Sequence, residues 1–155
     1  MFVSTFEATI DGKGRVIVPA PFRAVLGASE LFLRPSIDGS CCLEGCGEAL
    51  MRVFQGQIDA LPMLSPERRA LHHAVFARSH RLKMDEAGRL RIPDALLVAA
   101  GIARDLIFAG QDDSFQVWEP GRFAEHETAM SALAADPAVL GALSAPRRLV
   151  AGDAP

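Results

Sequence analysis

One stretch occurs twice in this chain, as Asp11-Gly12-Lys13-Gly14-Arg15-Val16-Ile17-Val18-Pro19 and as Asp85-Glu86-Ala87-Gly88-Arg89-Leu90-Arg91-Ile92-Pro93. Both copies read Asp-x-x-Gly-Arg, three further residues, Pro, and they start 74 residues apart, from Asp11 to Asp85. A repeat of this kind constrains the fold, because each copy is one supersecondary unit that cannot bury its apolar face alone. Within each copy the chemistry reads as a turn. Aspartate can accept a hydrogen bond from a backbone N–H two residues on, and glycine takes positive φ without steric cost, so Asp11, Gly14, Asp85 and Gly88 are expected to shape the two turns. Proline ends each copy because it has no N–H to give a ladder.

The flanks extend the repeat. Phe6, Ala8 and Ile10 alternate with Glu7 and Thr9, the period of a half-buried strand, and after the turn Val16 and Val18 alternate with Arg15 and Ile17. This predicts a hairpin with Arg15 at the base of its second strand. A short helix follows from Pro21 to Leu26, then a second hairpin from Leu31–Leu33 and Cys41–Leu43, a helix from Gly47 to about Ala60, and another capped by Ser65 and running through Phe76. The second half repeats the plan. Ser79–Met84 and Arg89–Ile92 are its first strands, with His80, Leu82 and Met84 inward; a helix spans Asp94–Ala100, strands cover Leu106–Phe108 and Phe115–Trp118, and a closing helix covers Pro120–Leu133. The expected class is α+β: two tandem half-folds, residues 1–75 and 76–143, forming an intramolecular pseudo-dimer, with a mobile tail at 144–155.

Net charge is −3 over 155 residues, which by itself argues against nucleic acid. Its placement argues the other way. Residues 11–23 carry Lys13, Arg15 and Arg23 against Asp11, and residues 78–91 carry Arg78, Arg81, Lys83, Arg89 and Arg91 against Asp85 and Glu86. With Val16, Val18, Leu90 and Ile92 inward, Arg15, Arg89 and Arg91 point outward, where a guanidinium can fork onto phosphate or onto the O6 and N7 edge of guanine. Arginine-bearing β-ribbons are an established way into a DNA groove. Arg81 and Lys83 stand on the outer face of the second half where the first half has Glu7 and Thr9, so the second half supplies more of the charge.

Other chemistry is weaker. Asp11 or Asp85 as a general base would need a nucleophile, a phosphate loop or a second acid in a defined pocket, and Gly12-x-Gly14 is too short for a phosphate cradle; catalysis is not expected. Cys41, Cys42, Cys46, His72, His73 and His80 lack paired metal-knuckle spacing, so neither metal nor cofactor is expected. The three cysteines suit a reducing compartment. No apolar run approaches the roughly 20 residues of a membrane span, and the first residues lack signal-peptide character, which points to a cytoplasmic protein without membrane contact. Phe115 and Trp118 could stack on bases, with core packing the stronger expectation.

Phe6-x-x-x-Ile10-Asp11-x-Lys13-Gly14-Arg15 with Pro19, Phe22 and Arg23, the second Met84-Asp85-x-x-Gly88-Arg89-Leu90-x-Ile92-Pro93, and Phe108-x-Gly110 through Phe115-x-x-Trp118-x-Pro120 together resemble the MraZ transcriptional regulators, in the AbrB-like group of swapped-hairpin DNA-binding folds. The resemblance extends to about residue 143 and implies two tandem AbrB-like half-folds, β-hairpins plus short helices, that form an intramolecular pseudo-dimeric β-barrel. It implies a bacterial, nucleoid-associated regulator of a cell-division and cell-wall gene cluster. Such a regulator binds G-containing direct repeats in double-stranded promoter DNA, usually as a repressor of its own promoter, and assembles as a ring homo-oligomer. It also implies that Arg15 and Arg89 are the principal DNA contacts, with Lys13 adding one; Arg91, Arg81 and Lys83 come from the residue pattern alone. The segment Cys41-Cys42-Leu43-Glu44-Gly45-Cys46 departs from the aliphatic strand expected there. Two alternatives remain open: an oligomeric interaction module that does not bind DNA, its arginines engaged by acidic neighbours, and, more remotely, a hydrolase.

Overall fold

The structure, a computed structural model, describes residues 1–144. The expected tail falls almost wholly on 145–155, outside the described residues. Met1–Arg122 form one compact unit that contains every strand among the described residues, and the described residues from Phe123 onward belong to a second.

The repeated plan is visible in the element order. The first half gives β1 (Thr5–Thr9), β2 (Arg15–Ile17), α1 (Ala20–Leu26), β3 (Glu30–Pro35), β4 (Leu43–Cys46), α2 (Glu48–Asp59) and α3 (Pro66–His72). The second gives β5 (His80–Lys83), β6 (Arg89–Arg91), α4 (Asp94–Ala100), β7 (Asp105–Gln111), β8 (Ser114–Trp118), α5 (Pro120–Ala134) and α6 (Pro137–Gly141), followed by a 3₁₀ turn at Ala142–Ser144. Ser65 caps α3 by accepting from the Arg68 N–H at 3.2 Å, and Pro66 follows at the first helical position. The helix expected to run on through Phe76 instead widens into a π-helical turn over His73–Ala77. That turn carries Val75 into the core and leaves Phe76 packed against it.

The strands do not pair as the local sequence suggests. Antiparallel ladders run in the order β1-β7-β8-β4-β3-β5, and β2 pairs with β6 in a separate two-stranded ribbon. The expected β1–β2 hairpin is therefore corrected: its turn closes, but β1 takes its ladder from β7 and β2 from β6. The exchange is symmetric, since β5 equally pairs with β3 of the other half. A half carries too few strands to cover both faces of its own hairpin, and crossing over buries the apolar face of each against the other. β1 and β5 end the sheet order, so this ladder does not itself close on them among the described residues.

The core follows the crossover. Val16, Val18, Leu90 and Ile92 from the ribbon strands and the residues just beyond them pack with Leu31, Leu33, Leu106 and Phe108 from the sheet. Phe22 of α1 is at the centre, its ring 5.2 Å from Phe2, 5.3 Å from Phe6 and 5.4 Å from Phe115. Phe115 lies across Gly45, its ladder partner, where a Cβ would come within 2.3 Å of the ring. Phe115 and Trp118 are thus core residues. A second cluster joins Cys46, Met51, Ile58 and Val75.

Two local expectations change. The fourth strand begins at Leu43, not Cys41: the Ser36 N–H donates to Cys42 O at 3.0 Å and the Cys42 N–H to Ser40 O at 2.9 Å, which holds Cys41 and Cys42 in the turn. His80, expected inward, is exposed at the start of β5, while Met84 is buried.

Candidate nucleic-acid interface

The two Asp-x-x-Gly-Arg turns have the same hydrogen bonds. Asp11 Oδ1 accepts from the backbone N–H of Lys13 and of Arg15, both at 2.9 Å, and Oδ2 accepts from Arg15 Nε at 3.1 Å. Asp85 Oδ1 accepts from Ala87 and Arg89 N–H, again both at 2.9 Å, and Oδ2 from Arg89 Nε at 2.7 Å. Gly14 and Gly88 sit at φ +76° and +77°, the left-handed region that a β-carbon would strain. Each carboxyl is held below its ordinary value of 3.8, first by the arginine backbone N–H and with help from the guanidinium. The charged form of each aspartate is therefore part of the turn.

These turns deliver the arginines to one surface. In the β2–β6 register Arg15 faces Arg91, Val16 faces Leu90 and Ile17 faces Arg89. Period-two alternation sends Val16 and Leu90 into the core, so the outer face of the ribbon presents Arg15, Ile17, Arg89 and Arg91. The Arg15 and Arg89 side chains, 26% and 38% exposed, are each held through Nε by their own aspartate. Tying that edge to a carboxylate limits the rotamers of the guanidinium and orients its terminal nitrogens. Arg91 reaches across the ribbon, its Nη2 donating to the Lys13 carbonyl over the Gly14 turn.

The structure thus brings Arg15, Arg89, Arg91 and the Lys13 loop together on the ribbon, while Arg81 and Lys83 belong to the strand that leads into the second turn. Both lie on β5, the edge strand of the six-stranded sheet. Arg81 is engaged there by Glu30, with Nε at 2.8 Å and Nη2 at 2.6 Å from Oε2, and its guanidinium lies 5.9 Å from the Phe32 ring centroid. Lys83 is opposite Glu30 in the β3–β5 register.

Sequence reasoning missed one supporting residue. Arg23 lies beneath the second turn, close enough that a Cβ on Gly88 would come within 2.6 Å of its Cδ, and its Nε donates to Val18 O at 3.0 Å. The Val18 N–H in turn donates to Gly88 O at 3.0 Å. A first-half helix therefore braces the second-half turn; the sequence marks Arg23 as part of the basic stretch at 11–23, but not as a contact to the other half.

Among the described residues no three His, Cys, Asp or Glu side chains are grouped so as to hold a metal ion. Cys42 and Cys46 are buried and Cys41 is exposed; burial, with the nearby Glu44 carboxylate, pushes the Cys42 thiol up to about 12. His72 stands 3.4 Å from Asp59 and edge-on to Phe76. No described helix is long and apolar enough to cross a membrane.

Comparison with known proteins places the chain in a family. The MraZ protein family model matches residues 1–58 and 75–138, one segment in each half. A protein of Hyphomonas neptunium named Transcriptional regulator MraZ is 42% identical, over 98% of this chain and 96% of its own length. Relatives of the same name from Methylocella silvestris and Caulobacter vibrioides are 41% identical over 81% of the chain and 35% identical over 96%, covering 77% and 94% of their own lengths.

Proposed function

The chain belongs to the MraZ family, and on that premise we propose that it is a sequence-specific DNA-binding transcriptional regulator whose β2–β6 ribbon enters the major groove. The observation that carries the reading is the ribbon's outer face, where strands from both halves place three arginines over a buried Val16–Leu90 pair. A two-stranded ribbon fits the major groove, and guanidinium groups there recognise guanine edges and phosphates. Arg15 and Arg89 are the principal contacts, oriented by Asp11 and Asp85. Arg91 and Lys13 add to the same patch. Arg81 and Lys83 are flanking contacts, and Arg81 must first exchange or share Glu30.

In this reading residues 1–75 and 76–143 are the two halves of one reading module, each giving one strand to the ribbon. The protein acts in the cytoplasm on nucleoid DNA, as a repressor of a division and cell-wall cluster promoter. It does so as a ring of identical chains whose ribbons meet successive direct repeats. Several weak contacts on one DNA then add avidity of about 10²-fold or more.

The test is a mobility-shift titration with DNA from upstream of the protein's own gene. Arg15→Ala or Arg89→Ala should each cost about 1–3 kcal/mol of binding per module, amplified in an assembly, and the double variant should show no shift. Binding by wild type should also fall steeply with salt. The Asp11–Arg15 and Asp85–Arg89 pairs favour the alternative of an interaction module with its arginines already satisfied. That alternative requires an oligomer that shifts no DNA at any salt concentration.

A further inference from the structure

The ribbon is symmetric in backbone and asymmetric in chemistry. Shifting by the repeat spacing relates Arg15 to Arg89 and Ile17 to Arg91, and the register pairs these positions about a pseudo-twofold axis through Val16 and Leu90. Two identical halves with the second half's residues would put arginine at all four outward positions. Instead one end of the face holds Arg15 opposite Arg91, with the Lys13 carbonyl tied to Arg91, and the other holds Arg89 opposite Ile17. Ile17 is 57% exposed although Val16 and Val18 on either side of it are buried.

A single exposed aliphatic residue is ordinary on a protein surface. Its place is what gives this one meaning, because it occupies one of the four positions that would meet base edges. Resting on the DNA-binding reading above, we infer that Ile17 is a specificity-determining residue that reads the 5-methyl group of a thymine beside the guanine met by Arg89. In the major groove only thymine offers a methyl group on its base edge, whereas guanine and adenine offer acceptors and an amino donor and cytosine an amino donor beside a bare C5–H. Packing isoleucine over those polar edges strips them of water and returns no hydrogen bond. The Arg15–Arg91 end has no such constraint and takes guanine or phosphate at both positions. The module therefore reads a site with direction: guanine-selective at one end, guanine with an adjacent T·A pair at the other. A fold with a pseudo-twofold axis would otherwise accept a palindrome in either orientation.

The experiment is selection of binding sites from a randomised duplex library by the full-length protein, followed by affinity measurements on the enriched site. Wild type should enrich a non-palindromic site containing one thymine that tolerates no other base. Replacing that thymine by deoxyuridine, which removes only the methyl group, should weaken binding about fourfold per module, the value of one buried methyl-sized group. Ile17→Ala should still select the guanine positions and bind thymine and deoxyuridine equally. Ile17→Arg installs the residue found at the equivalent corner and should change the selected base at that position from thymine to guanine. Both substitutions are at an exposed position, and unchanged thermal melting verifies the fold. The inference is overturned if wild type selects a site in which deoxyuridine replaces every thymine without loss, or if Ile17→Ala keeps the methyl discrimination. In either case the DNA-binding reading stands. If wild type enriches no sequence at all, that reading fails and this inference with it.

Discussion

Gly14 and Gly88 hold equivalent places in the two turns with nearly equal φ, yet different groups lie against them. A Cβ on Gly14 would meet the tip of Arg91 at 3.4 Å, on the exposed side of the ribbon. A Cβ on Gly88 would meet Arg23 at 2.6 Å, and Arg23 is fixed by its bond to Val18 O. Either alanine substitution costs about 1–2 kcal/mol for left-handed backbone. Gly88→Ala should cost about 1 kcal/mol more, because Arg23 has to give up a hydrogen bond to make room. Gly12, with nothing within 4 Å of its Cβ position and no positive φ, is the control and should be near neutral. Denaturant unfolding of the three variants gives the comparison, and equal losses at Gly14 and Gly88 would remove Arg23 as a brace.

At the scale of elements, period-two alternation located most strands, because which face is apolar is a local property. Val16, Val18, Leu90 and Ile92 are buried as their spacing indicates. Strand partners are not local. The Asp11 turn has the chemistry of a hairpin and closes with hairpin-like bonds, and the alternation of residues 5–18 does not name β6 as the partner of β2, an exchange that only the swapped-hairpin resemblance implied. The same limit hid the contact of Arg23 with Gly88 and the engagement of Arg81 by Glu30 of the other half. It also hid Arg34. This arginine on β3 is buried, its Nη2 bonded to Glu44 Oε2 at 2.8 Å and its guanidinium 5.0 Å from the Phe54 ring centroid. Ser36 Oγ lies 2.8 Å from the other oxygen of Glu44. A charge on a strand reads as an outward residue until its partner on β4 is known. Glu44→Ala should therefore destabilise by about 3–5 kcal/mol, since it leaves Arg34 buried and uncompensated. Replacing both partners, as Arg34→Met with Glu44→Leu, should recover most of that loss. Thermal and denaturant melts of the single and double variants measure the difference, and a mild single loss would mean that Arg34 escapes to solvent.

For the whole molecule, the consequence of the crossover is that neither repeat owns its sheet. The ladders β1–β7, β2–β6, β3–β5 and β4–β8 join the halves, while β3–β4 and β7–β8 are the ladders internal to one half among the described residues. Residues 1–75 alone would keep β3–β4 and leave β1 and β2 without partners, with the apolar side of Val16 and Val18 open to water. Such a fragment can fold only by giving those strands to a second copy, so its stability must depend on concentration. The expected result is an unstructured monomer when dilute and a folded dimer when concentrated, seen together by circular dichroism and sedimentation. Mixing it with residues 76–144 should favour the hetero-pair, whose ribbon has the native Arg15–Arg91 and Ile17–Arg89 facings; the homodimer would face Arg15 with Ile17 at both ends. A concentration-independent folded monomer of residues 1–75 would contradict the interlocked pairing. The same arrangement makes one DNA-reading surface out of two unequal sequences: because β2 and β6 can reach that surface only as a pair, Ile17 of one half and Arg91 of the other are held at fixed and opposite corners of it.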